Sequence, residues 1–199
     1  MNWYLISPEG ESEIENKLLP QLLALPFTAY HVRKPQWDAE QISEWLKQWP
    51  KEVLQKMVIH YHSDPAIMFP VKGYHMSRAQ RKSKRFVREI NQLFVIHKWT
   101  HLSTGFHHVE SLQKFEGGLT HAWISPVYPS ISKTMYDKAW SPYTWEKLKL
   151  INRFSVVALG GISIDKKEDL TEKHFEHAGV KGTVWSAENP LEKAKGLFQ

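Results

Sequence analysis

The stretch Ser155-Val-Val-Ala-Leu-Gly160-Gly161-Ile162, taken with Gly182-Thr-Val-Trp-Ser186-Ala187 further on, decides how the chain is read. Each is a short apolar run with β-branched residues that borders on Gly or Ser. A buried parallel strand looks like this when its end must bring bare backbone close to a ligand. Between them, Asp165 with Glu168 three residues on reads as a capping box ahead of a helix carrying Leu170 and Phe175. Strand, glycine turn, helix, strand, small-residue turn and helix is how the last two units of a (β/α)8 barrel build a phosphate cradle from backbone N–H groups. Phosphate is therefore the first ligand chemistry suggested, with Gly160, Gly161, Ser186 and Ala187 at its centre.

Toward the N terminus the alternation repeats. Trp3 to Ser7 predicts a strand, and Glu11 to Ala24, with Ile14, Leu18, Leu19, Leu22 and Leu23 at helical spacing, predicts its helix. Phe27 to Val32 is followed by a helix opened by Asp38 and Gln41. Lys56 to Tyr61, Val71 to Met76, Trp99 to Thr104 and His121 to Ile124 give the next strands. Helices are predicted over Arg81 to Leu93 and Val109 to Phe115, and after the prolines Pro142 and Pro190. The reading is an α/β chain folding as one compact (β/α)8 TIM barrel domain over 1–199. Such barrels typically take about 250 residues, so 199 imply trimmed loops.

Composition narrows the chemistry. There is no cysteine, which excludes disulfides, thiolate metal sites and a thiol nucleophile. A formal charge of +5 suits an anionic ligand as well as it suits nucleic acid, and so decides little. The basic run Arg78, Arg81, Lys82, Lys84, Arg85 and Arg88 has no aromatic residues interleaved on its face and reads as a solvated helix face, not a nucleic-acid site. No stretch approaches the roughly 20 apolar residues of a membrane span, and no leader is visible. A cytoplasmic protein without nucleic-acid or membrane partners is expected, and a homodimer is left open.

In a barrel of this kind the strand ends carry the chemistry. Here they collect His31, Arg33, Lys34, His60, His62, His75, Ser77, Arg78, Ser103, His107, His108, Ser125, Ser130, Ser132 and Lys133, with hardly a carboxylate. Cations, hydroxyls and imidazoles imply an oxygen-rich anion. A zinc site from His60, His62 and His75 is set aside, because only Asp64 offers a carboxylate nearby.

The order of Val32-Arg33, Gly73-Tyr-His75, Pro126-Val-Tyr-Pro-Ser130-Ile-Ser132-Lys133, Ala158-Leu-Gly160-Gly161 and Gly182 to Ala187 resembles the thiamine phosphate synthase and TenI family over essentially the whole chain. The resemblance implies that Ser130, Ser132 and Lys133 grip a phosphate or pyrophosphate, that Arg33 assists, and that backbone at Gly161 and Ser186-Ala187 holds a thiazole phosphate. The chain also departs from the synthases. Their second strand carries Gln-x-Arg-x-Lys where this one has His31-Val-Arg33-Lys34-Pro35. Their magnesium-binding carboxylate positions read His60-Tyr61 and Ser77-Arg78-Ala79-Gln80 here. Magnesium needs hard oxygen ligands, so no metal or other cofactor is expected, and Mg²⁺ would enter only with synthase activity.

TenI-like proteins resemble thiazole tautomerases, whose catalytic imidazole follows the fifth strand. His107 occupies that place, with His108 as the alternative. His31 is counted with His107 as catalytic, and histidine suits proton transfer near neutral pH. Three activities follow from the resemblance: a thiazole tautomerase, a divergent synthase that joins a pyrimidine pyrophosphate to thiazole phosphate, and a non-catalytic binder of thiamine-related phosphates.

Overall fold

The computed structural model describes residues 1–128 and 142–199, the side chains of 142–145 excepted. Its strands form one closed parallel barrel in chain order: β1 (Asn2–Ile6), β2 (Ala29–Val32), β3 (Met57–His60), β4 (Gly73–Met76), β5 (His101–Phe106), β6 (His121–Ile124), β7 (Ser155–Ala158) and β8 (His177–Val180). β1 closes the ring on β8, with Tyr4 opposite Gly179 and Leu5 opposite Val180. Around it lie α1 (Glu13–Ala24), α2 (Ala39–Leu46), α3 (Lys51–Leu54), α4 (Ser63–Met68), α5 (Arg78–Lys82) and α6 (Lys84–Ile96). They are followed by α7 (Val109–Gln113), α8 (Pro142–Lys149), α9 (Lys167–Glu172), α10 (Gly182–Trp185) and α11 (Pro190–Lys195). None of these is long and apolar enough to cross a membrane.

Several helix starts are fixed by their own sequence. Asp38 and Gln41 form a reciprocal capping box on α2, as Ser77 and Gln80 do on α5. Ser83 accepts from the Phe86 amide and so splits the basic stretch into α5 and α6, where a single helix from Arg81 is predicted. Lys82, Lys84, Arg85 and Arg88 are exposed.

Period-two alternation sorts every strand into two layers. Outward, Trp3, Leu5, Tyr30, Val32, Met57, Ile59, Tyr74, Leu102, Ala122 and Ile124 join the helices in an apolar shell. Among the described residues that shell holds one buried ion pair: Lys34 Nζ lies 2.5 Å from Glu15 Oε2 and donates to the Gly10 carbonyl, while Tyr30 Oη donates to Glu15 Oε1 at 2.5 Å. Inward, Tyr4, Ile6, Val58, Trp123 and Val157 share the lumen with His31, His75, His101, Ser103, His121 and His177.

The last unit departs from expectation. The closing strand is His177–Val180, and residues 182–185 form the single helical turn α10. A Cβ at Gly179 would lie 2.3 Å from Trp123 Cζ3, so glycine is what lets β8 pass beside the indole. Tertiary contacts override the β-branched character of Thr183 and Val184: the Thr183 hydroxyl donates to the Ile162 carbonyl, Val184 is buried, and Trp185 Nε1 donates to the Ile6 carbonyl at 2.7 Å. Asp165 makes no capping box. It lies in a 3₁₀ turn over Ile164–Lys166 and accepts from the Ser163 hydroxyl.

Candidate functional site

The C-terminal strand ends surround a cavity of about 370 Å³ whose lining includes His31, Arg33, His60, His75, Arg78, His107 and Ser125. No carboxylate lines it among the described residues. Arg33 is held in place by Ser7, whose Oγ accepts from the Arg33 amide at 2.8 Å and donates to its carbonyl at 3.1 Å. At the rim Glu9 bridges Arg33 and Lys181, and these two cations hold its carboxyl down at about 2. Glu9 and Lys181 escaped the sequence reading, because the loop after β1 and the turn after β8 show no motif.

His107 is exposed, and its Nδ1 lies 2.6 Å from the Ser125 carbonyl oxygen. A carbonyl only accepts, so Nδ1 carries the proton and Nε2 holds the lone pair of the neutral ring. His108 is also exposed, but it precedes α7 as its N-cap and does not line the cavity. Of the two adjacent histidines, the one at the mouth is His107.

Below the mouth the inward histidines form a column down the lumen. His31 Nδ1 and His60 Nε2 are 3.0 Å apart, and the His60 and His75 rings stack at 4.1 Å. Ser103 Oγ joins His75 Nδ1 at 2.8 Å to His101 Nε2 at 2.9 Å, and His101 stacks on His121 at 4.3 Å. Tyr4 Oη then meets His121 Nε2 at 2.8 Å and His177 Nδ1 at 3.4 Å. Burial holds all six imidazoles below their ordinary range, His31, His60 and His101 well below it, His75 down to about 3 and His121 to about 4. His31 Nε2 and His101 Nδ1 are buried without a hydrogen-bond partner. His31, expected as catalytic beside His107, is buried and lines the same cavity, where burial keeps its imidazole neutral. His101, His121 and His177 were not singled out because they begin their strands. Their inward parity was the signal that could have found them.

The two turns of the expected phosphate cradle are neighbours, joined by the hydrogen bond from Thr183 to Ile162. Gly160 and Gly161 take positive φ (94° and 65°), and a Cβ on Gly160 would lie 2.8 Å from Pro126 Cα, so the turn is bare backbone by necessity. The amides of Ser186 and Ala187, however, donate to Gly182 and Val184 carbonyls at 2.9 and 3.2 Å. The amides of Gly182 and Thr183 start α10, where no intrahelical acceptor exists. Ser130, Ser132 and Lys133 lie outside the described residues. Lys34 is fully buried in its ion pair and faces away from the mouth.

The described part of the mouth offers magnesium no carboxylate. The positions that carry carboxylates in synthases hold His60, buried, and Gln80, whose amide nitrogen donates to Tyr61 carbonyl and Tyr74 hydroxyl oxygens at 2.7 and 2.8 Å. Carboxylates, the charged oxygen ligands through which Mg²⁺ is usually held, are missing from the described lining.

Comparison with known proteins agrees with the barrel. A thiamine phosphate pyrophosphorylase from Bacteroides thetaiotaomicron superposes with a TM-score of 0.76 at 21% identity, covering 100% of this chain and 96% of that one. One from Pyrococcus furiosus gives 0.74 at 15%, covering 99% and 93%. A 3-hexulose-6-phosphate synthase from Salmonella typhimurium gives 0.70 at 10%, covering 99% and 96%. At such identities the likeness is one of fold. Among curated proteins none matches. The family model described as thiamine monophosphate synthase matches residues 3–184, nearly the whole chain, and the chain therefore belongs to the thiamine monophosphate synthase and TenI family.

Proposed function

We propose that this chain is a thiazole phosphate tautomerase of the TenI kind, with His107 as the group that moves the proton. The observation that carries the reading is His107 itself: an imidazole at the rim of the mouth cavity whose Nδ1–H is fixed by the Ser125 carbonyl, with its basic nitrogen on the other side of the ring. Nε2 removes a proton from a ring carbon of the thiazole carboxylate phosphate, the double bonds shift toward the aromatic arrangement, and the imidazolium returns a proton to the carbon where electron density arrives. Arg33 and the amides of Gly161, Gly182 and Thr183 bind the phosphate, and Ser130, Ser132 and Lys133 join them. No step requires a metal.

His107→Gln should cut turnover by about 10² to 10⁴, the usual worth of a general acid–base group, and leave phosphate affinity nearly intact. His108→Gln should change little. Lys133→Ala should weaken binding by about 1.5–3 kcal/mol, the scale of a charged hydrogen bond. Full tautomerase turnover in His107→Gln would refute the assignment.

A second reading, a divergent synthase, is supported by the family description over residues 3–184. Given pyrimidine pyrophosphate, thiazole phosphate and Mg²⁺, the protein should form little thiamine phosphate, and robust magnesium-dependent turnover would restore that reading. If neither reaction proceeds, the chain is a binder of thiamine-related phosphates.

A further inference from the structure

Strand parity and register bring three imidazoles to one place. His31 on β2, His60 on β3 and His75 on β4 all point inward, and His60 and His75 are directly paired across their strands. One ring nitrogen of each lies within 4.8 Å of those of the other two. His62, included in the trio weighed from sequence, is not part of this group: its Nε2 meets the Trp37 carbonyl at 3.0 Å. His31 takes its place.

Accounting for the ring nitrogens shows what the group lacks. Buried polar atoms are nearly always partnered, and an exception calls for an explanation such as an ion. His31 Nε2 has no partner, and His31 Nδ1 faces only another imidazole nitrogen, that of His60, at 3.0 Å. Ser103 Oγ occupies His75 Nδ1, fixing the ring and leaving Nε2 as the nitrogen it can offer. Ser103 is itself fully buried and tied to His101, as an outer-shell partner of a metal ligand should be.

We infer that His31, His60 and His75 form a three-histidine site for a borderline-soft divalent cation of the Zn²⁺ class, with its open coordination position facing the mouth cavity. Three neutral nitrogen donors suit Zn²⁺, and disfavour Mg²⁺ and Ca²⁺. Burial already keeps these imidazoles in the unprotonated form a metal requires. Zn–N bonds of 2.0–2.1 Å in tetrahedral geometry put ligand nitrogens about 3.3 Å apart. His31 Nδ1 and His60 Nε2, 3.0 Å apart, are close to this, and a ring nitrogen of His75 lies within 4.8 Å of the ligand atoms of both. Three neutral ligands leave the ion's double charge uncompensated, and Arg33 and Arg78 add positive charge along the same cavity. The open position therefore takes an anionic ligand, so metal and an oxyanion should strengthen each other's binding. The site is independent of the tautomerase reading, because it is tested with metal alone.

The test uses full-length, tag-free protein stripped with a chelator and titrated with Zn²⁺ near neutral pH. One ion per chain should bind with a dissociation constant on the order of 1 µM or tighter. His60→Ala and His75→Ala should each weaken binding more than about 100-fold, and Ser103→Ala by about 10- to 100-fold. His108→Ala and His174→Ala, both exposed, should leave it unchanged. Should a lumen variant fail to fold, Co²⁺ bound to the wild type decides: intense visible bands of a four-coordinate ion support the site, and the weak bands of a six-coordinate ion overturn it. Absence of stoichiometric binding, or binding that survives loss of both His60 and His75, overturns it as well.

Discussion

Strand β2 carries buried polar groups on both of its faces, and the two faces treat them in opposite ways. Outward, Lys34 at the strand's end and Tyr30 close on Glu15 of α1, and the carboxylate and the ammonium each have a short contact of 2.5 Å to the other. Inward, His31 meets His60 and has one nitrogen left over. The shell confines charge and satisfies it. The lumen confines uncharged imidazoles and leaves them underused. A satisfied pair is what stability needs, and unspent nitrogens beside a cavity are what ligand binding needs.

Acid separates the two faces most strongly. His31, His60, His75, His101 and His121 are held neutral in the fold and protonate near pH 6.5 when unfolded. Below that pH the unfolded chain binds more protons, so stability present above pH 6.5 is lost as pH falls toward about 4 for His121 and about 3 for His75. Each group contributes about 1.4 kcal/mol per pH unit, so the five together approach about 7 kcal/mol per unit against a typical total of about 5–15. Metal-free protein should unfold between about pH 6 and 4.5, followed by circular dichroism. A barrel still folded at pH 4 would mean that the lumen accepts charge as readily as the shell does.

On the outer face, Lys34→Ala should cost about 3–5 kcal/mol in chemical denaturation, because it leaves Glu15 as a buried uncompensated carboxylate. Replacing both partners, Lys34→Met with Glu15→Leu, should recover most of that loss. Tyr30→Phe removes one hydrogen bond to the carboxylate and should cost about 1.5–3 kcal/mol. Ser103→Ala breaks hydrogen bonds between neutral groups in the lumen and should cost only about 1 kcal/mol. If it costs as much as Lys34→Ala, the lumen network is as structural as the ion pair and the contrast between the faces fails.

Much of this was legible in the residues. Parallel barrel strands are short and apolar on the outward face, so β6 was placed residue for residue and the other strands up to β7 within a few. The sequence placed His107 beyond the fifth strand, and it lines the mouth there. The closing strand was missed because His177-Ala-Gly-Val carries little β propensity, and its glycine answers a neighbour, Trp123, that is more than fifty residues away. The inward histidines at strand starts were missed for a related reason. A polar residue on an interior face looks like an error in the pattern until the lumen that receives it is known. Burial of Lys34 could not be read either, since the sequence placed it among the mouth cations and its partner, Glu15, lies on a different element.

The pairing of the first strand with the last has a consequence for synthesis. Trp3, Tyr4 and Leu5 are all buried, and one edge of their strand is completed only by residues 177–180. At about 5–20 residues per second, a ribosome needs roughly 9 to 35 seconds to travel from β1 to β8. Throughout that interval β1 keeps an open hydrogen-bonding edge and an apolar face that cannot yet be covered, the circumstances in which chaperones hold nascent chains. Closing the ring is a late event for the polypeptide, however early its first strand is made.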